Sequence, residues 1–247
     1  MPSISDRIIK LGDVPDAWGL NMLIYGVSGV GKTTLASTAQ DSPFGKDLLF
    51  VDVGAGARSI VHRKDIAAIV PEEWKDFRQI LAYLEDEDHP YNTVVIDTIS
   101  EAQRMNLQQV TRNQGRDVAQ LQDYLTSNTQ MFNLITAFKS LAITRGMNVI
   151  FVAHEKEEKE ETSGSILIRP DLPPGVAKDI VKLMDAVGRL VQVKQDKREI
   201  RFYGTINAVG KFRQPPNAIQ IPATVENPTM VDILQFYRTS VDSIDRE

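Results

Sequence analysis

The sequence contains no cysteine among its 247 residues, and this absence removes several classes of chemistry at once. Disulfide bonds, thiolate nucleophiles and cysteine-ligated zinc or iron–sulfur centres all require a thiol, so none of them is available to this chain. A chain without thiols is compatible with a reducing compartment. We therefore expect a cytoplasmic protein.

Long hydrophobic runs and an excess of positive charge are missing as well. No segment approaches the roughly 20 consecutive apolar residues that cross a bilayer, and residues 1–19 lack the apolar stretch of a signal peptide. We expect no contact with a membrane. The 28 basic and 33 acidic residues give a net charge of −5, so no global positive field draws the chain to nucleic acid. Any contact with nucleic acid must be local.

The most informative segment that is present is the octapeptide GVSGVGKT at residues 26–33. It fits the G-x-x-x-x-G-K-[ST] pattern of a phosphate-binding loop, whose glycines let backbone N–H groups converge on an anion. Lys32 is expected to contact the β- and γ-phosphates of a nucleotide, and Thr33 to ligate Mg²⁺ through its hydroxyl. The residues predicted to bind the nucleotide are Gly26, Val27, Ser28, Gly29, Val30, Gly31, Lys32, Thr33 and Thr34.

The alternative interpretation of this segment is a glycine-rich turn that carries a lysine by chance. The apolar run at residues 22–25 predicts a buried strand that enters the loop, and residues 34–38 predict the first turns of a helix that leaves it. A strand before the loop and a helix after it are the context that the motif requires. The context therefore favours the phosphate-binding interpretation.

Short apolar stretches alternate with helical ones along the chain, which indicates a parallel sheet covered by helices. Four buried strands are predicted, at residues 22–25, 48–52, 93–97 and 147–154. AVGRLVQVK and EIRFYGTI predict an antiparallel hairpin nearer the C-terminus. We therefore expect an α/β fold with a mostly parallel twisted sheet, flanking helices and a C-terminal antiparallel hairpin.

Two further stretches carry local predictions. Residues 155–164, EKEEKEETSG, have no apolar residue to anchor them and predict a mobile loop. Near the C-terminus, Asn227 followed by Pro228 predicts a capped helix that begins at the proline.

Two polar residues are predicted at the carboxyl ends of buried strands, which is where open parallel sheets bind ligands. Asp97 ends the run TVVID and is expected to hold Mg²⁺ or its water shell together with Thr33. His154 ends the run MNVIFVAH and can hydrogen-bond the γ-phosphate or the attacking water. A histidine that is merely satisfied at a strand end is the other interpretation, and the sequence leaves it open.

Six segments carry a family resemblance: in chain order, GVSGVGKTTLA, FVDVGAGARSI, YNTVVIDTIS, MNVIFVAHEKEE, RPDLPPGVAKDIVKLMDAVGRL and KFRQPP. Together they resemble the phage-encoded P-loop proteins of the RecA-like group, and within that group the chain is most similar to the single-strand annealing recombinases. The resemblance covers about residues 18–237. It implies a single RecA-like P-loop ATPase domain over residues 1–247, with short terminal extensions.

The resemblance also implies a function. Proteins of this group bind ATP with Mg²⁺, assemble on single-stranded DNA and promote strand annealing and homologous recombination, with DNA-dependent ATP hydrolysis. It implies a homo-oligomer, ring or filament, with ATP at the subunit interfaces, a single-stranded DNA-binding protein as a further partner, and the cytoplasm of a bacterial host. Lys211 and Arg213 fit the place where such proteins present cations to the neighbour's γ-phosphate.

Two segments are candidates for contact with DNA. The resemblance makes residues 155–175 a DNA-contacting loop, although five glutamates between residues 155 and 164 argue against it. Residues 104–116 place arginines among amides, and a solvated helix and turn is the other interpretation of this segment. The candidate residues are Lys156, Lys159 and Arg169 in the first segment and Arg104, Arg112 and Arg116 in the second.

The chain departs from the RecA-like pattern in one place. A glutamate usually follows the second strand and orients the attacking water, but Gly54 stands there. Either Asp52, Glu101 or Glu155 replaces that glutamate, or hydrolysis is slow and the nucleotide acts as an assembly switch. The alternatives to the recombinase are a nucleotide-gated binding or assembly protein with little turnover, and a packaging or helicase-type motor. The motor is disfavoured because the sequence has no appended translocation domain.

Overall fold

The computed structural model describes residues 18–86, 88–159, 164, 166–195, 197–202 and 222–244. Within these ranges the centre of the molecule is one mixed sheet of nine strands. The strands are β1 (Asn21–Gly26), β2 (Leu48–Asp52), β3 (Ala67–Ile69), β4 (Thr93–Asp97), β5 (Asn148–Lys159), β6 (Ile166–Pro170), β7 (Ala186–Lys194), β8 (Lys197–Phe202) and β9 (Thr224–Glu226).

Helices flank this sheet on both faces. They are α1 (Lys32–Ser37), α2 (Asp76–Asp86), α3 (Ile99–Asn113), α4 (Leu121–Thr144), α5 (Pro174–Leu183) and α6 (Met230–Ile244). Side chains from α2 to α5 form one apolar core on one face of the sheet, and side chains from α1 and α6 form a second core on the other face. In the described part of the chain, each helix is too short or too polar to span a bilayer.

The strands follow the order β3-β2-β4-β5-β1-β7-β8-β9, and β6 pairs with the outer half of β5. In this spatial order, the five pairings that join β3, β2, β4, β5, β1 and β7 are parallel. The strands β6, β8 and β9 pair antiparallel with their neighbours. Every residue of β1, β2 and β4 is buried, as expected for strands covered on both faces. The predicted fold class, a mostly parallel sheet flanked by helices with a C-terminal antiparallel hairpin, is confirmed.

The strand order decides where a ligand can bind. Because β1 lies between β5 and β7, the loop that follows it opens at the middle of the sheet's carboxyl edge. The ends of β4 and β5 reach the same edge, with Gly26 opposite His154 in the β1–β5 register. Three chain segments that are far apart in sequence therefore meet at one place.

The predicted loop after His154 is wrong over residues 155–159. There β5 continues as a strand to Lys159 and pairs antiparallel with β6. The strand needs no apolar anchor because ladder hydrogen bonds and charge pairs hold it. Arg189 binds Glu155 with Nε and an Nη, at 2.8 and 3.0 Å, and Arg169 Nη1 donates to Glu158 Oε2 at 2.9 Å.

The predicted start of the last helix is also wrong, by two residues. Helix α6 begins at Met230, and the Thr229 hydroxyl accepts a hydrogen bond from the N–H of Asp232 at 3.2 Å. Asn227 instead adopts a left-handed φ of 44°, a conformation that asparagine tolerates in turns. Its side-chain oxygen accepts a hydrogen bond from the N–H of Arg198 at 3.2 Å, so Asn227 holds the start of β8 rather than capping α6.

Candidate phosphate-binding site

The loop between β1 and α1 has the backbone shape that its sequence predicts. Gly31 has a φ of 102°, which side chains disfavour, and it leads directly into the first turn of α1. A Cβ on Gly26 would lie 2.5 Å from the carbonyl oxygen of Leu190 in β7, so only glycine fits there. Val30 is 2% exposed and anchors the loop in the core, while Ser28 and Gly29 are exposed at its tip.

Lys32 is buried at the base of this loop. Its side chain is folded back, and Nζ donates hydrogen bonds to the carbonyl oxygens of Gly26 at 2.9 Å and Val27 at 2.8 Å. Burial lowers the pKa of Lys32, and the negative charges of Asp97 and Glu155 oppose that shift. The cation is thus held in the loop by neutral carbonyl oxygens, which anionic phosphate oxygens can replace with a stronger, charge-assisted contact.

Thr33 and Asp97 form the second part of the site. Thr33 Oγ1 donates to Asp97 Oδ2 at 2.5 Å, which joins the start of α1 to the end of β4. Asp97 is 2% exposed. Burial raises the pKa of its carboxyl group, whereas the hydrogen bond from Thr33 and the charge of Lys32 lower it.

This oxygen pair fits a magnesium ion. A hydroxyl and a carboxylate are the hard donors that Mg²⁺ prefers, and the ion usually completes its shell with water and substrate phosphates rather than with protein ligands. Within the described residues, no cluster of three or more histidine, aspartate or glutamate side chains is arranged to hold a metal. A metal here would therefore depend on phosphate oxygens next to Thr33 and Asp97.

Gly56 packs directly against this pair. A Cβ at position 56 would lie 2.8 Å from Asp97 Oδ2 and 3.0 Å from Thr33 Oγ1. We expect Gly56→Ala to lower the free energy of unfolding by about 1–3 kcal/mol, because overpacked positions force their neighbours to move. Urea denaturation measures the change.

The matched control for this substitution is Gly175→Ala. Nothing lies within 4 Å of a Cβ at position 175. This variant should be neutral or up to about 1 kcal/mol more stable, because alanine restricts the unfolded chain. Equal stability of the two variants would contradict the close packing of Gly56.

His154 is the last residue of β5 that pairs in parallel with β1, and the residues after it pair antiparallel with β6. Its N–H donates to Ser100 Oγ at 3.1 Å, which ties the strand to the first turn of α3. Burial lowers the pKa of His154, and the positive charge of Lys32 acts in the same direction. The imidazole is therefore neutral at pH 7 and can donate or accept one hydrogen bond at each nitrogen.

These groups share one cavity of about 420 Å³ at the carboxyl edge of the sheet. Its lining includes residues of the phosphate loop and of the segment at residues 54–59. Asp97, Glu101, His154 and Arg198 line the cavity as well. The structure thus brings Lys32, Thr33, Asp97 and His154 together, whereas Lys211 and Arg213 lie outside the described residues.

The three candidate replacements for the missing glutamate differ in position. Glu101 lines the cavity, and its Cγ lies 3.3 Å from where a Cβ on Gly54 would be. Asp52 is buried opposite Asp97 in the β2–β4 register, and its Oδ1 lacks a partner among the described residues. Glu155 is held by Arg189 at 2.8 Å. Of the three, Glu101 is the one that is adjacent to Gly54 and open to the cavity.

Four of the six candidate DNA residues are held in contacts within the chain. Arg104 pairs with Glu101 and Asp171, Arg116 with Asp123, Arg169 with Glu158, and Lys156 Nζ donates to the Leu172 carbonyl oxygen. Arg112 and Lys159 are exposed, at the end of α3 and the end of β5 respectively.

Arg58 and Arg198 are two cations of the cavity lining that the sequence interpretation missed, and Arg198 is the one that touches the phosphate loop. It begins the pattern Arg198, Ile200, Phe202 on β8, in which the last two side chains are buried. An arginine that shares a strand face with two buried apolar residues is a signal for a cation on the core side of the strand, although Arg198 itself remains exposed. The signal is weak until the hairpin's place beside β1 is known.

Comparison with known proteins identifies the family of the chain. Residues 19–217 match a protein family described as an AAA domain. The crystal structure of the RadB recombinase is similar at 18% identity over 75% of this chain and 80% of that chain, with a TM-score of 0.46. No curated protein matches at a significant level. Since the family match spans the phosphate loop, Asp97 and His154, the chain belongs to the AAA domain family of P-loop proteins.

Proposed function

We propose that this protein binds ATP with Mg²⁺, hydrolyses it, and assembles on single-stranded DNA to promote strand annealing and homologous recombination. The observation that supports the proposal most is the convergence of Lys32, the Thr33–Asp97 pair and His154 on one cavity beside the phosphate loop. The sequence resemblance supports the recombination role and a phage origin.

Each residue has a defined task in this proposal. Lys32 exchanges its carbonyl contacts for oxygens of the β- and γ-phosphates, and the loop N–H groups hold the β-phosphate. Thr33 and Asp97 hold Mg²⁺, which neutralises charge on the phosphates. His154, neutral at pH 7, hydrogen-bonds the γ-phosphate or the attacking water and reports phosphate loss to the hairpin of β5 and β6.

The water-orienting group in this proposal is Glu101. It starts in the first turn of α3, where the Thr98 hydroxyl accepts a hydrogen bond from the Glu101 N–H at 3.2 Å. The cap fixes the backbone, so the carboxylate is carried to the cavity beside Gly54. A glutamate supplied by α3 rather than by the end of β2 restores the general base that position 54 lacks.

The quaternary part of the proposal is a ring or filament with ATP at the subunit interfaces. The exposed tip of the phosphate loop leaves room for a neighbouring subunit over the phosphates. Lys211 and Arg213 supply the neighbour's cations, and a single-stranded DNA-binding protein is a further partner. Each chain contributes a single domain over residues 1–247 with its core at about 18–237, and the one continuous sheet supports this count.

The test of the proposed function is phosphate release with and without single-stranded DNA, measured beside DNA binding and annealing. We expect DNA to stimulate release and Mg·ATP to strengthen DNA binding. ATP-dependent binding without turnover would favour the nucleotide-gated assembly protein, which the glycine at position 54 independently favours. Failure to bind DNA with any nucleotide would refute the recombinase.

The exposed basic residues give the DNA contact a residue-level test. Arg112→Gln and Lys159→Gln should each weaken single-stranded DNA binding and reduce the slope of log K against log salt by about 0.7, the value for one lost phosphate contact. Fluorescence anisotropy at several salt concentrations measures the slope. The control is Lys46→Gln, because Lys46 is exposed at the opposite, amino edge of the sheet. Equal slopes in all three variants would exclude these two contacts.

A further inference from the structure

A cation from outside the phosphate loop lies directly against it. If Gly31 carried a Cβ, that atom would lie 3.3 Å from Arg198 Nε and 3.6 Å from Arg198 Cζ. Arg198 also lines the cavity that holds Lys32 and Thr33. The guanidinium therefore covers the glycine that immediately precedes the phosphate-binding lysine.

The strand that carries Arg198 is anchored by the side chains on one of its faces. Ile200 and Phe202 share its face and are 0% and 5% exposed, packed in the same core as Val30 and Leu35 of the phosphate loop and α1. Since side chains two apart on a strand point the same way, Arg198 is aimed at the loop by the packing of its neighbours.

The backbone of Arg198 is fixed as well. Its N–H donates to Asn227 Oδ1 at 3.2 Å, and its carbonyl oxygen accepts from the Asn227 N–H at 2.7 Å. On the other side β8 pairs with β7, with Arg198 opposite Gln192. The start of β8 is thus tied to both neighbouring segments, which keeps the guanidinium within reach of the loop.

Arg198 also differs from the other cations of β8 in its partners. Lys197 pairs with Glu226 at 2.6 Å and Arg201 with Glu199 at 3.2 Å. Across the part of the chain that the structure describes, Arg198 forms no ion pair with a carboxylate. In a chain with a net charge of −5, an arginine that faces an anion-binding loop without a carboxylate of its own is suited to an anionic ligand.

We propose that Arg198 binds the phosphate chain of the nucleotide held by its own subunit. The inference rests on the proposed function, since it names a further ligand for the same ATP. A guanidinium donates two parallel hydrogen bonds to phosphate oxygens, which a lysine cannot do. Arg198 acts within one chain, whereas Lys211 and Arg213 would act on the nucleotide of a neighbour.

The test is a titration of the full-length protein with a fluorescent ATP analogue and Mg²⁺. Arg198→Gln should raise Kd about tenfold, the effect of one charge-assisted contact at an exposed side chain. Arg198→Lys keeps the charge but loses the paired donors, so its Kd should rise about threefold. Arg201→Gln is the matched control, because Arg201 is on the same strand, faces away from the cavity and should leave Kd within about twofold.

The comparison with Lys32→Ala separates two kinds of failure. If Arg198→Gln binds as tightly as the unchanged protein while Lys32→Ala does not bind, the role of Arg198 is refuted and the ATP site stands. If the unchanged protein does not bind Mg·ATP, the ATP site and the role of Arg198 are both refuted. The raised Kd of Arg198→Gln should persist when the protein is diluted until sedimentation shows monomers. If the variant and the unchanged protein have the same Kd at that dilution, action within one subunit is refuted.

Discussion

Replacing Lys32 by alanine is expected to abolish Mg·ATP binding, with a rise in Kd of at least about hundredfold. Contacts of a cation with phosphate oxygens contribute about 1.5–3 kcal/mol each, and Lys32 is placed to make two of them. The lysine is 6% exposed and donates to two carbonyl oxygens of the loop, so its removal takes away the cation at the base of the loop. Calorimetric titration with Mg·ATP measures the loss.

The fold itself should not depend on this lysine. Burial lowers the pKa of Lys32, which means that burial in the folded protein disfavours the charged form of the lysine. Removing the ammonium relieves that cost and gives up two hydrogen bonds to carbonyl oxygens. We expect the melting temperature of the ligand-free protein to change by no more than about 4 °C, which corresponds to about 1 kcal/mol for a chain of this size.

Lys46→Ala is the control for this experiment. Lys46 is exposed just before β2, at the edge of the sheet opposite the cavity, and its removal changes the net charge by the same amount. It should bind Mg·ATP normally. Unimpaired binding by Lys32→Ala would show that the loop at residues 26–33 does not hold a nucleotide.

Glu101→Gln is expected to reduce DNA-stimulated phosphate release by about 10²- to 10⁴-fold, the usual effect of losing a general base. Because glutamine keeps the size of the side chain, the Kd for Mg·ATP should stay within about threefold. The expectation follows from geometry: Glu101 lines the cavity and lies beside Gly54, where RecA-like ATPases carry the water-orienting glutamate. Single-turnover phosphate release and calorimetric titration separate the two effects.

Arg104 provides the control for Glu101. Its guanidinium binds the Glu101 carboxylate and also lies 3.4 Å from Asp171 Oδ2, so losing the Glu101 carboxylate leaves Arg104 with Asp171 as its ion-pair partner among the described residues. Arg104→Gln should retain most of the turnover. If it loses as much activity as Glu101→Gln, the carboxylate acts by holding Arg104 rather than by orienting water. If Glu101→Gln retains full activity, Asp52 is the next candidate, since its buried Oδ1 has no partner among the described residues.

The sequence could predict those parts of the site whose geometry is local. The spacing of Gly26, Gly31, Lys32 and Thr33 defines the loop by itself, because all four residues belong to one turn between a strand and a helix. Asp97 could be placed opposite Thr33 because carboxyl ends of parallel strands meet at one edge. The hydrogen bond of 2.5 Å between Thr33 and Asp97 shows that the two side chains are adjacent, as this argument predicts.

Arg198 could not be placed in the same way. Its nearness to Gly31 depends on the order β1-β7-β8 in the sheet and on the register of the hairpin, which no local pattern encodes. The loop predicted after His154 was wrong for a similar reason, because charge pairs between residues far apart in the chain hold that segment as a strand. Glu155 and Arg189 are 34 positions apart, yet their contact helps to make the charged stretch after His154 a strand.

Because β5 is long, a small rotation at one point of the strand can become a large displacement at its end. One unbroken strand of 12 residues begins inside the sheet and ends in the hairpin, with His154 at the point where it leaves the core. The five residues beyond that point extend about 17 Å at 3.3 Å each, so a tilt of about 10° at His154 would displace the tip by roughly 3 Å. A displacement of that size is comparable to a hydrogen-bond length, so a small rotation at the nucleotide would suffice to make or break a contact at the far end.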